Sequence, residues 1–272
     1  MSFGQIRKIN DGNNTYDASA IPLEMLRNMA SRKALPITVG GTSNRTFTLN
    51  ASVTDPANLW IGDDFLHMTA TLAYSWVVGT NVILHATTGA ETTLTNGTAG
   101  IWYMYAGYNA AGTLVVYPSA AVPSAVQAPN GNGFLTHPGT AKTSTWLYVG
   151  FMLCDATTPT FVAMTKRGFT YETTDITLAT TASLAVLAFT GAKALPAHDG
   201  VTVGGHLETG SAGTVVVQTG SVADTGGFKV SANAGVDMVP FGPLETNSAG
   251  KFYAIDTVAR GDVHVMWIKD VI

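Results

Sequence analysis

Charge is scarce in this chain. Asp, Glu, Lys and Arg make up 12% of its 272 residues, about half the share usual in soluble domains. A surface of Thr, Ser, Gly and Ala is solvated but repels its neighbours weakly. Such a surface suits packing against copies of itself or a partner; the plainer reading is a neutral β protein that stays soluble alone. The formal net charge of −4 and the scattered Lys and Arg leave no basic face to neutralise phosphates, so no nucleic-acid partner is expected. The single cysteine, Cys154, excludes an intramolecular disulfide and points to synthesis in a reducing compartment. It lies in the apolar run WLYVGFMLC at 146–154, where a thiol behaves as a small hydrophobe. No uncharged apolar stretch is long enough for a membrane span. The polar start, MSFGQIRKINDGNN, has no apolar segment of the kind a secretory signal needs.

Turns and short strands, by contrast, fill the chain. Its hydrophobic content of 46% supplies a core, and apolar runs are interrupted about every ten residues by Gly, Asn, Pro or paired Thr. The expected fold is all-β: two β-sandwich or barrel domains in tandem behind a short N-terminal arm and helix.

Residues 1–36 are expected to form an N-terminal arm and short helix, with Phe3, Ile6, Ile9, Leu23, Leu26 and Met29 as their apolar positions. The arm, residues 1–20, has a DGNNT turn signal and little to bury, so it is expected to be disordered alone. The helix is expected over 22–33. Pro22 suits its first position, Glu24 and Arg32/Lys33 match its dipole, and Pro36 stops it.

Residues 37–175 read as a β-sandwich domain. RTFTLN at 45–50 alternates. FLHMTATL, NVILH, ETTL, IWYMYAGY and TLVVY follow as strands, with Asn96-Gly97 and Asn109-Ala-Ala-Gly112 as turns. A Pro- and Gly-rich loop over 118–145 is long enough that it is expected to be functional or packed on something. WLYVGFML resumes the sheet and TFVAMT at 160–165 is expected to pair with it. Residues 176–190 are a connection. Residues 191–272 form a small C-terminal β domain with frequent glycines between short strands, a Greek-key barrel or sandwich.

The residues that carry chemistry are not arranged in a known motif. No G-x-S-x-G occurs, and Gly40-Gly41 and Gly204-Gly205 lack a following helix and a P-loop lysine. Among six histidines none pairs at i, i+2 or i, i+4; His198-Asp199 and His206-Leu-Glu208 come nearest to a ligand cluster. Asp55 and Asp63-Asp64 lack the D-x-D-x-D-G run of a calcium loop. The expectation is therefore a non-enzymatic chain with no cofactor and no metal.

Aromatic residues remain. Trp102, Tyr103, Tyr105, Tyr108 and Tyr117 are close in sequence. On a strand, Trp102 and Tyr108 share one face, Tyr103 and Tyr105 the other. An exposed row of this kind beside an Asn-rich loop stacks on sugar rings. The structural alternative is that one face is core and the other an interface.

Over about residues 40–170, the aromatic strand, Asn/Gly turn, Leu/Val return strand, Pro-rich loop and Tyr-x-Gly strand resemble a β module of tailed-bacteriophage virion proteins. The C-terminal GFKV, GKFYAI and RGDVHVMW segments resemble the small β domains of phage capsid-decoration proteins. The chain differs from a plain decoration protein in its length and additional N-terminal domain. It lacks the heptads or shaft repeats of a long fibre. The resemblance implies a homotrimeric capsid-surface decoration or short head-fibre protein, assembled in the host cytoplasm into the virion, contacting itself and the major capsid or other virion proteins, and anchored by its arm and helix through Phe3, Ile6, Ile9, Leu23, Leu26 and Met29. The alternative is a tail-fibre or receptor-binding protein for host surface glycans. A third reading, a glycan hydrolase, needs two carboxylates facing one cleft, and no such pair stands out.

Overall fold

The computed structural model describes residues 8–10, 15–17, 35–40, 45–61, 64–77, 80–94, 100–124, 135–139, 145–154, 163–167, 169–179, 185–186, 195–198, 200–209, 213–219, 228–232, 237–247, 249–256 and 261–270. These residues are all-β, with no helix among them. The helix expected over 22–33, with Leu23, Leu26 and Met29, lies outside the described residues, as do Phe3 and Ile6. The chain divides into two compact units, Met1–Phe169 (with Ile272) and Thr170–Val271.

The first unit contains β1 (Lys8–Asn10), β2 (Thr15–Asp17), β3 (Ile37–Gly40), β4 (Thr46–Leu49), β5 (Ala57–Ile61), β6 (Asp64–Met68), β7 (Leu72–Ser75), β8 (Asn81–Leu84), β9 (Glu91–Leu94), β10 (Gly100–Tyr108), β11 (Leu114–Ser119), β12 (Leu147–Cys154) and β13 (Met164–Arg167). One sheet has the order β2-β1-β6-β5, a second β11-β10-β12, and β8 pairs with β9 alone. Strand β13 pairs antiparallel with β3, which continues to β4 and β7.

The arm expected to be disordered carries paired strands instead. Strand β1 is antiparallel to β2 and parallel to β6, with Ile9 opposite Phe65. The side of β6 not used by β5 offers backbone donors and acceptors that β1 takes up, and β2 pairs with β1 in turn. A second correction concerns β13, which was expected beside β12. Strand β12 instead lies against β10, with Tyr103 opposite Phe151.

All eight residues of β12 are buried, as are Trp102 to Gly107 of β10. Both faces of this sheet are therefore covered, and the strands read as continuous apolar runs instead of alternating ones. Strand β11 lies at the edge of its sheet order, where Pro118 is tolerated without an N–H to donate. The turn at 109–112 forms as expected. Asn109 Oδ1 accepts from the N–H groups of Ala111 and Thr113 at 3.1 and 2.9 Å. Gly112 completes it at φ +74°, a conformation that costs other residues more. The 118–145 loop folds back on the sheet through the bridges Ser124↔Thr136 and Thr136↔Leu147.

The second unit contains β14 (Thr170–Ala179), β15 (Ala185–Val186), β16 (Thr202–Thr209), β17 (Gly213–Gln218), β18 (Phe228–Ala232), β19 (Asp237–Glu245), β20 (Tyr253–Asp256) and β21 (Gly261–Lys269). Its strand orders are β19-β16-β21-β14 and β15-β20-β17-β18, with antiparallel pairing. The unit begins earlier than residue 191. Residues 176–179 continue β14 along β21, and Ala185–Val186 pairs with β20, so the expected connection is partly sheet. Leu207, Val263, Val265 and Ile268 are fully buried.

Candidate functional site

The aromatic row of β10 is core. Trp102, Tyr103 and Tyr105 expose 7%, 1% and 0% of their surface, so of the glycan, interface and core readings these three rings follow the core one. The reason is the covering of both sheet faces. Tyr103 meets the ring of Tyr148 edge-on at 5.9 Å. Tyr105 packs edge-on against His137 at 4.9 Å. Its hydroxyl donates to the Ala121 carbonyl at 2.6 Å, and burial holds its pKa well above the ordinary tyrosine range.

Two of the five aromatic residues reach solvent. Tyr108 ends β10 and is 37% exposed. Tyr117 is half-buried, stacked on Trp146 at 5.5 Å and edge-on to Tyr74 at 6.3 Å. Partial burial, then the Glu91 charge, raises the Tyr117 pKa, while a hydrogen bond with the Asn109 side chain opposes them. The polar groups beside Tyr117 already serve the turn: Asn109 Oδ1 caps it, and Glu91 Oε1 accepts from the Ala110 N–H at 3.1 Å.

A serine–histidine pair that sequence spacing did not indicate lies behind this sheet. Ser119 Oγ and His137 Nε2 are 2.9 Å apart, and both residues are fully buried. Strand β11 ends at Ser119, while the folded-back loop supplies His137. The proton arrangement is fixed by the backbone. Gly139 N–H donates to His137 Nδ1 at 3.1 Å, so in the neutral ring Nε2 carries the hydrogen. Burial, reinforced by His85, lowers the His137 pKa to about 4 and keeps that ring neutral. His137 therefore donates to Ser119 Oγ, which also accepts from the Ala121 N–H at 3.2 Å. A serine nucleophile needs the reverse arrangement, a histidine nitrogen accepting the hydroxyl proton. This pair ties the loop to the sheet.

The second unit rearranges the expected histidine–acid neighbours. His198 stands 3.6 Å from Asp270, both buried, while Asp199 lies outside the described residues. Glu208 faces His264 across the strands, Nε2 to Oε2 3.2 Å. His206 stacks on His264 with ring centres 4.3 Å apart and planes 14° from parallel. Sequence spacing missed His264, because only the β16–β21 register sets it opposite His206. Among the described residues no three His, Cys, Asp or Glu side chains already form a metal-ligating group. Asp55, considered for calcium, closes an exposed turn: its N–H donates to Ser52 Oγ at 3.0 Å.

No protein-family model matches the chain, and neither a curated protein nor a solved structure matches it.

Proposed function

We propose that this chain is a non-enzymatic structural component of a tailed-phage virion, a homotrimeric capsid-surface decoration or short head-fibre protein. The observation that carries the reading is the β11-β10-β12 sheet. The aromatic strand, its return strand and the Tyr-x-Gly strand on which the phage resemblance rests form one continuous module, buried on both faces along β12. Trp102, Tyr103 and Tyr105 are taken up in packing, and the serine–histidine pair holds a loop. The low charge of the chain favours association with copies of itself and with a shell. The glycan-binding alternative predicts an exposed aromatic row such as Tyr103/Tyr105, and burial of these two rings favours the structural reading over it.

The test is the solution mass of the full chain by sedimentation. A trimer of three 28.4-kDa chains, about 85 kDa, is expected. A monodisperse monomer across the micromolar range sinks the assembly reading and leaves a stand-alone binding module.

A further inference from the structure

The face of β16 and β21 opposite the apolar core carries an unusual group. His206 lies directly across from His264, and two residues along Glu208 lies across from Asp262. Residues two apart on a strand share a face, so all four occupy one side. Leu207, Val263 and Val265 are buried on the other. The histidine row is flanked by Pro240 of β19, which is exposed, and Thr177 of β14, and the acid row by Met238 of β19 and Ala179 of β14. On β21, Met266 continues the face and is 38% exposed, so the group lies beside solvent.

Two distances suggest what this group holds. The 3.2 Å between His264 Nε2 and Glu208 Oε2 lies within the range for adjacent ligands on one metal: bonds of about 2.0–2.1 Å set neighbouring donors about 2.9–3.4 Å apart. The second imidazole, His206, is 4.3 Å away ring to ring, and a rotation about its side-chain bonds is required before a nitrogen can face the same point. In the structure as it stands, the three side chains are not grouped so that they could hold a metal ion. Two imidazoles and a carboxylate are a donor set for zinc and its first-row neighbours. Magnesium and calcium prefer all-oxygen cages.

We infer that His206, His264 and Glu208 form a binding site for a divalent transition-metal ion, which closes when His206 leaves the stack and pins β16 to β21. Asp262, across from Glu208, adds negative charge beside the ion. The site is independent of the virion proposal and stands or falls by itself.

Zinc titration of the full chain by calorimetry tests it, with Glu208→Gln, His206→Asn and, as a control, His85→Asn. One zinc ion per chain is expected, weakened on the order of tenfold or more by the first two substitutions and unchanged by the third. Failure to bind at millimolar zinc overturns the site. So does binding that Glu208→Gln and His206→Asn leave unaltered, because the ion then sits elsewhere. Should either variant fold poorly, imidazole NMR signals of the unaltered chain decide the matter. His206 and His264 must shift at the lowest zinc concentrations, and the site is refuted if His67 or His85 shifts before them.

Discussion

Buried His137 makes the stability of the first unit depend on pH in a direction that can be worked out. Its ring is neutral in the fold, with a pKa lowered from 6.5 to about 4, chiefly by burial and secondarily by His85. In the unfolded chain the ring regains its ordinary value. As the pH falls below about 6.5 the unfolded state takes up a proton that the folded state refuses, so stability declines. The loss continues until the folded ring protonates near pH 4. Over the full window it amounts to about 3 kcal/mol, and between about pH 7.5 and pH 5 to about 2 kcal/mol. Urea unfolding at those two pH values measures it. Carboxylates also contribute in acid, so the informative quantity is the difference between the unaltered chain and His137→Gln, which cannot titrate. The unaltered chain is expected to lose about 2 kcal/mol more than the variant. Parallel pH dependences, or an NMR titration midpoint for His137 at or above 6.5, would falsify the assignment of a neutral, Nε2-protonated ring.

Other outcomes follow from the same contacts. Ser119→Ala removes the acceptor of both His137 Nε2–H and Ala121 N–H; unfolding is expected at about 2–4 kcal/mol lower free energy, and a loss under about 0.5 kcal/mol would count against the buried network. Tyr103→Ser is expected to cost about 3–5 kcal/mol, whereas Tyr108→Ser at the exposed strand end stays within about 0.5 kcal/mol; equal costs in denaturant titrations would contradict the burial difference. Gly205→Ala sets a Cβ 1.8 Å from the His264 carbonyl oxygen of the neighbouring strand. Because that contact is with backbone, a cost of about 3 kcal/mol or more is expected, and a variant as stable as the parent would rule out the close approach. Cys154 is fully buried, so its thiol should resist a water-soluble disulfide reagent until the chain unfolds; immediate stoichiometric reaction in native buffer is the contrary result.

Strands with strong local signals were legible without a structure. The alternation of residues 45–50 became β4, the apolar runs at 101–108 and 146–154 became β10 and β12, and residues 262–268 lie in β21. Three other strands were obscured by their own residues. Strand β16 contains Gly204-Gly205, where its register with β21 shifts. The second glycine lies where a side chain would strike the next strand's backbone. Strand β19 holds Pro240, Gly242 and Pro243, which break a strand pattern but are tolerated at the end of the strand order β19-β16-β21-β14. The first residues of β14 passed as the end of the preceding domain because its partner β21 lies more than eighty residues away.

Composition and local periodicity were enough to determine an all-β chain of low charge, its principal strands and the Asn109–Gly112 turn, because strand and turn preferences act over a few neighbouring residues. Whether an aromatic strand shows a face to solvent depends on what covers it, and only the tertiary structure buries Tyr103 and Tyr105. The direction of the proton between Ser119 and His137 depends on a backbone N–H at Gly139 that the folded loop brings to the ring. The meeting of Glu208, His206 and His264 depends on register between β16 and β21. A slip of one residue in that register would turn one strand's side chains to the opposite face, so long-range pairing decides the site where local spacing cannot.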